Sequence, residues 1–204
     1  MSSEELLLVF VKNRQKGRVK TRLAASVGEH KALAIYNQLL RYTRNVVRPL
    51  TVDLQVWYSE YIPLTDIWDD LEAEKRTQVG ADLGERMHHA FKRAFREGYR
   101  RVVIIGSDCA ELTTSVIRTA FNDLETSDVA IGPSSDGGYY LLGMSRLYGE
   151  LFEGKAWSTP SVYRQTVEEA EELGLEVARL EELTDVDTVD DWQQVKSRFV
   201  NTEE

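Results

Sequence analysis

Six basic residues stand at every second position of one short segment: Lys12, Arg14, Lys16, Arg18, Lys20 and Arg22, with Gly17 among them and no acid between. Outside this segment the chain sets 19 basic residues against 34 acidic ones. A positive cluster on so acidic a background suits an anionic ligand. A glycine-containing loop offers backbone N–H groups, and Arg and Lys add charge-assisted bonds; together these suit a pyrophosphate. Two or three such bonds are worth several kcal/mol, at roughly 1.5–3 kcal/mol each. The plainer alternative is a solvated loop that pairs with acidic neighbours. The segment lacks the Gly-Lys-Thr of a P-loop, and the chain has no G-x-G-x-x-G dinucleotide fingerprint.

Three further clusters carry carboxylates. Asp108 lies in Gly106-Ser107-Asp108-Cys109, just past the apolar run Arg101–Ile105. A nucleotide-bound Mg²⁺ or Mn²⁺ takes one or two protein carboxylates and fills the rest of its shell with phosphate oxygen and water. Asp108 suits that task, or a turn or helix cap. Asp136 precedes the paired glycines Gly137 and Gly138, which let a backbone approach a ligand closely; Asp-Gly is also a strong hairpin signal. Asp185 and Asp187 alternate on an extended segment and so face one way, toward one cation, unless Asp187 or Thr188 caps the last helix. Trp157, beside two hydroxyls, either stacks on a substrate ring or packs into the core. Cys109 reads as a small buried residue, and the histidines form no metal site, because the adjacent His88 and His89 point to different helix faces.

These clusters need a scaffold. Strands are expected at Leu6–Val11, Val52–Tyr58, Lys75–Val79, Arg101–Ile105, Val129–Ile131, Tyr139–Leu142 and Leu175–Leu180. Helices are expected at Val27–Val47, Pro63–Leu71, Leu83–Arg96, from Thr113 or Thr114 to Leu124, Ser161–Leu173 and Val189–Phe199, with the tail Asn201–Glu204 frayed. This alternation predicts a mostly parallel sheet with helices on both faces, in which ligands gather at the carboxyl ends of strands. The 204 residues fit a single domain spanning 1–204. A net charge of −9 argues against nucleic acid and anionic membranes as partners. One cysteine excludes a disulfide framework. Neither a leader nor a membrane-spanning apolar stretch is apparent, so a cytoplasmic location is expected.

The ordered motifs K-x-x-x-x-G-R-V-K-T-R-L (Lys12–Leu23), Q-x-G-x-D-L-G-E-R-M (Gln78–Met87), G-S-D-C, G-P-x-x-D-G-G-Y-Y-L-L-G (Gly132–Gly143), W-S-T and D-V-D-T span nearly the whole chain. Taken together they resemble the bacterial radical-SAM/selenodomain-associated transferases, a family regarded as glycosyltransferases and linked in some assignments to arsenosugar biosynthesis. The resemblance implies the nucleotide-diphospho-sugar transferase (GT-A) fold, a Rossmann-like three-layer α/β/α sandwich with a mostly parallel mixed sheet. It implies a divalent cation, Mg or Mn, with a nucleoside-diphosphate sugar donor and a small-molecule acceptor. Carried over, Lys12, Gly17, Arg18, Lys20 and Arg22 belong to the nucleotide-phosphate loop, and Asp108 takes the place of the metal-binding aspartate. A second metal ligand would come from Asp136, Asp185 or Asp187. Asp136 is also the residue assigned to acceptor or sugar chemistry, with Gly137, Gly138 and Trp157 on the substrate side. Two departures stand out: the family's prolines in the first loop and after G-S-D-C are here Arg14, Lys16 and Ala110. A nucleotidyltransferase releasing pyrophosphate and a non-catalytic nucleotide-binding domain are the competing readings, and a homodimer stays open.

Overall fold

The computed structural model describes residues 4–199; the tail Asn201–Glu204, expected to fray, lies outside them. Seven strands share one sheet: β1 (Glu5–Val11), β2 (Asp53–Tyr58), β3 (Glu74–Thr77), β4 (Arg101–Ile105), β5 (Val129–Pro133), β6 (Tyr139–Met144) and β7 (Val177–Arg179). Their order is β3-β2-β1-β4-β6-β5-β7, and every pairing is parallel except the two made by β6. The Rossmann-like α/β/α expectation is met.

The buried run of β1 sends alternate residues to opposite faces, as the strand period requires. Leu7, Val9 and Val11 pack with Tyr36 and Leu40 of helix α2 (Glu29–Val47) and with Ile117 and Phe121 of helix α4 (Thr114–Asp123). Leu6, Leu8 and Phe10 pack with Met87, Ala90 and Phe91 of helix α3 (Leu83–Arg96) and with Val167 and Ala170 of helix α5 (Val162–Glu172). Burying such a side chain contributes roughly 1.5–3 kcal/mol. A third cluster joins the outer side of α2 to Leu23 of helix α1 (Thr21–Val27) and Trp192 of helix α6 (Val189–Val195).

Three expected helices are changed, the last of them, expected to Phe199, ending at Val195 and passing into a 3-10 turn over Lys196–Phe199. The one expected over Val27–Val47 starts at Glu29, because Gly28, at φ +83, separates it from α1. The expected helix over Pro63–Leu71 is a series of turns instead. There the Asp66 carboxylate accepts from the Trp68 N–H at 3.0 Å, and Asp69 accepts from the Asp66 N–H at 2.8 Å. Side chains that capture nearby backbone donors compete with helix formation. Lys75 then pairs with both aspartates.

A candidate nucleotide and cation site at the carboxyl edge of the sheet

The segments leaving β1, β2, β4 and β5 at their carboxyl ends meet on one edge, joined there by residues 183–188, which follow β7. Ladder contacts fix that last segment in place: Cys109 bridges Asp185, Ser134 bridges Leu183, and the Val186 N–H donates to the Asp108 carbonyl at 2.9 Å.

Lys20 is the centre of this edge. Its backbone is left-handed (φ 48, ψ 50) at the N-cap of α1, a conformation costly for a residue with a side chain and held only where the surroundings impose it. The side chain is 3% exposed, and its ammonium lies 3.0 Å from Asp108 Oδ2 and 3.1 Å from Asp187 Oδ1. Burial pulls its pKa down, but the two carboxylates outweigh that and the net shift is upward. Arg22 reaches Asp187 at 3.8 Å while remaining largely exposed. The other Asp108 oxygen, Oδ1, is buried without a hydrogen-bond partner. Asp185 sits just behind, accepting from Ser134 Oγ at 2.9 Å. Burial, and then the charge of Asp108, push its pKa up to about 7.

The structure therefore gathers Lys20, Arg22, Asp108, Asp185 and Asp187. The last helix is capped by Thr188, whose hydroxyl and Asp191 form a capping box, so Asp187 is left free of that duty.

The remaining candidates stand apart. Lys16 reaches Glu29 at 3.9 Å and Arg18 reaches Glu60 at 3.2 Å, so much of the loop does pair with acidic neighbours. Gly17 takes φ +77 in the turn that carries the chain past Gln15. The side chains of Lys12 and Arg14 have no acidic partner within ion-pair distance among the described residues, and both line a cavity of about 120 Å³ with Tyr58, Tyr61 and Asp66. A larger, shallow hollow of about 540 Å³ lies on the far half of α3 and touches none of these residues.

Asp136 is exposed at the tip of the β5–β6 hairpin, with one oxygen accepting from the Gly138 N–H at 2.9 Å. Gly137 (φ +87) lies so close to Pro160 that an added Cβ would meet its carbonyl oxygen at 2.1 Å. Trp157 covers Gly84 in the first turn of α3, where a Cβ would fall 2.1 Å from the indole, and its other neighbour is Phe152. Its position is a packing position. Cys109 is buried, and desolvation followed by the charge of Asp185 raises its thiol pKa to about 12.

Sequence reasoning missed the residues that hold the edge together. Buried Asn13 accepts from Glu60 N, Tyr61 N and Ser59 Oγ and donates to the Tyr61 carbonyl, tying the first loop to the β2 loop. Tyr36 Oη bonds both the N–H and the carbonyl of Lys12. A single Asn in a basic loop and a Tyr on a helical apolar stripe give no sequence signal of such roles.

The fold defines a class: the mixed α/β proteins of the nucleotide-diphospho-sugar transferase and cytidylyltransferase type. Residues 43–159 match the model of the family described as "Uncharacterized protein conserved in bacteria (DUF2064)", and the chain belongs to that family. A crystal structure from Desulfovibrio desulfuricans G20, provisionally described as a nucleotide-diphospho-sugar transferase, is 37% identical. The match has a TM-score of 0.89 and covers 98% of this chain and 90% of that one. The inositol-1-phosphate CTP transferase of T. maritima superimposes with a TM-score of 0.58 at 13% identity, covering 100% of this chain and 99% of its own. Rv0371c of Mycobacterium tuberculosis H37Rv, in complex with manganese, gives 0.53 at 14%, covering 96% and 98%. These last two share the fold alone. No curated protein matches the sequence. Among the described residues, no helix is long and apolar enough to cross a membrane.

Proposed function

We propose that the chain is a divalent-cation-dependent glycosyltransferase acting from a single domain on a nucleoside-diphosphate sugar. The observation that supports this most is the meeting of Lys20, Arg22, Asp108 and Asp187 at the carboxyl edge of the sheet. The residues suit a cation on three grounds. Asp108 and Asp187 already hold one, the Lys20 ammonium. Asp108 Oδ1 is buried and unpartnered. Gly106, at the end of β4, opens on free space where a Cβ would meet nothing within 4 Å. No group of three or more His, Cys, Asp or Glu side chains is assembled for a metal among the described residues. With only two protein carboxylates offered, the rest of a cation's shell would come from substrate phosphate and water.

In this reading Asp108 and Asp187 hold Mg²⁺ or Mn²⁺, with Asp185 behind them. A bound cation there supplies charge stabilisation for the departing diphosphate. Arg22, Lys12 and Arg18 close on the phosphates from the first loop, Gly17 gives that loop its turn, and Lys20 adds a buried positive charge. Asp136 faces the sugar or acceptor from the hairpin tip, with Gly137 and Gly138 forming the wall beside it and Trp157 shaping the far side through α3. The sequence motifs carry the assignment further, to the radical-SAM/selenodomain-associated branch and an arsenosugar-type acceptor in the cytoplasm. Asp108→Asn should abolish release of nucleoside diphosphate from the donor in a chain that still folds, as read by circular dichroism, even where losing one partner of buried Lys20 lowers its stability; a fully active variant overturns the assignment.

A second reading, a nucleotidyltransferase, draws on Lys12 and Arg14. Their unpaired charges leave room for a third phosphate.

A further inference from the structure

The Lys20 ammonium occupies the position between Asp108 and Asp187 that the proposed function gives to a cation. The placement is built into the backbone. A left-handed N-cap residue turns an otherwise exposed basic loop inward at this one side chain, leaving it 3% exposed while Arg18 and Arg22 stay in solvent. Two carboxylates so close together repel each other unless a positive charge lies between them. Lys20 supplies that charge. A divalent cation held by Asp108 and Asp187 together would meet the ammonium at the same point between them, since Lys20 already holds Asp108 Oδ2 and Asp187 Oδ1, and like charges so close repel.

We propose that Lys20 is a resident counter-ion. A divalent cation displaces its ammonium from Asp108 and Asp187, and the ammonium then passes to the phosphate groups of the nucleotide. This rests on the cation-dependent reading above and goes beyond it, because it makes cation and nucleotide binding cooperative. Without phosphate, the cation must evict a buried, doubly paired ammonium that has no further ion-pair partner among the described residues. With phosphate present, the displaced charge gains one. The coupling is reciprocal, so nucleotide also binds more tightly when the cation is present.

The test is Mn²⁺ binding by calorimetry to the intact chain and to Lys20→Met, first with Mn²⁺ alone and then with CDP, GDP or UDP added separately. The wild-type chain should bind Mn²⁺ alone weakly, and at least tenfold more tightly with the effective diphosphate. Lys20→Met should bind Mn²⁺ alone at least tenfold more tightly than wild type, with the diphosphate adding little. Equal Mn²⁺ affinity in the two proteins overturns the counter-ion role and leaves the cation-dependent reading standing. No Mn²⁺ binding to either protein under any condition overturns both. Because Lys20→Met leaves two carboxylates facing each other and can fail to fold, a second measurement uses the wild-type chain. Amine acylation read by mass spectrometry should find Lys20 protected in the metal-free protein and labelled several-fold faster when Mn²⁺ is bound without nucleotide. Unchanged protection of Lys20 with Mn²⁺ bound overturns the proposal.

Discussion

Cys109 lies one residue from Asp108 and yet belongs to the core. It is 4% exposed, and burial together with the neighbouring Asp185 raises its thiol pKa to about 12. A thiol so seldom ionised at neutral pH is a poor nucleophile. At pH 8 its reaction with a disulfide reagent should therefore follow global unfolding, and stopped-flow labelling as fast as that of a free thiol would contradict this. The burial of Cys109 agrees with its reading in the sequence as a small buried residue, whereas Asp108, just past a buried strand, reads there either as a cation ligand or as a turn or cap residue. The sequence did not show which basic residue turns inward. Every second residue from Lys12 to Arg22 is cationic, and only the left-handed backbone at Lys20 distinguishes that one. Asn13 was silent for a related reason: its four bonds go to a loop some 46–48 residues away.

At the scale of elements, α3 shows how Trp157, proposed for the substrate side, serves packing. Gly84 sits inside a helix, where glycine costs up to about 1 kcal/mol relative to alanine. The reason is the indole of Trp157, which occupies the space a Cβ would need. Gly84→Ala should lose about 1–3 kcal/mol in urea unfolding, as overpacking does. Adding Trp157→Ala should recover much of that loss, a non-additivity expected for residues in contact. Additive effects would mean that the two do not share the space. The strands at the amino end are tied by another local device. Asp128 accepts from the Tyr148 hydroxyl and, at 3.0 Å, from the Glu176 N–H, joining the starts of β5 and β7 to the chain after β6. The Tyr148 bond, foremost, holds its carboxyl below the usual range. Stabilisation from a carboxylate held low is present above the unfolded pKa of about 4 and is lost as pH falls through the native value. Asp128→Asn should cost about 1–2 kcal/mol at pH 7 and flatten the acid side of the stability profile below about pH 4; an unchanged profile would contradict the assignment. Turn chemistry explains the missed element: Pro63 and the apolar spacing suggested a helix, but Asp66 and Asp69 take the backbone donors for themselves.

Across the whole molecule, the alternation of buried strands and amphipathic helices made the layered architecture legible, and the carboxyl-edge rule singled out the edge where Lys20, Asp108 and Asp187 meet. Insertion of β6 between β4 and β5 was not legible. The Asp-Gly turn announces the β5–β6 hairpin, but no local signal tells that β6, and not β5, pairs with β4. Just past the end of β5 the chain meets the segment after β7, where Ser134 bonds Asp185 and bridges Leu183. The long-range meeting of Lys20 with Asp187, 167 residues apart, depends on this arrangement and so lay outside sequence reasoning.

The central claim concerns which bond the site breaks, and the identity of the phosphate product tests it most directly. The purified protein with Mn²⁺ would be given a panel of nucleoside-diphosphate sugars and, separately, nucleoside triphosphates with sugar phosphates, and the products resolved by anion-exchange chromatography. The account predicts release of a nucleoside diphosphate from one sugar donor, absent in Asp108→Asn. Pyrophosphate released from a triphosphate, with no turnover of any sugar donor, would contradict it.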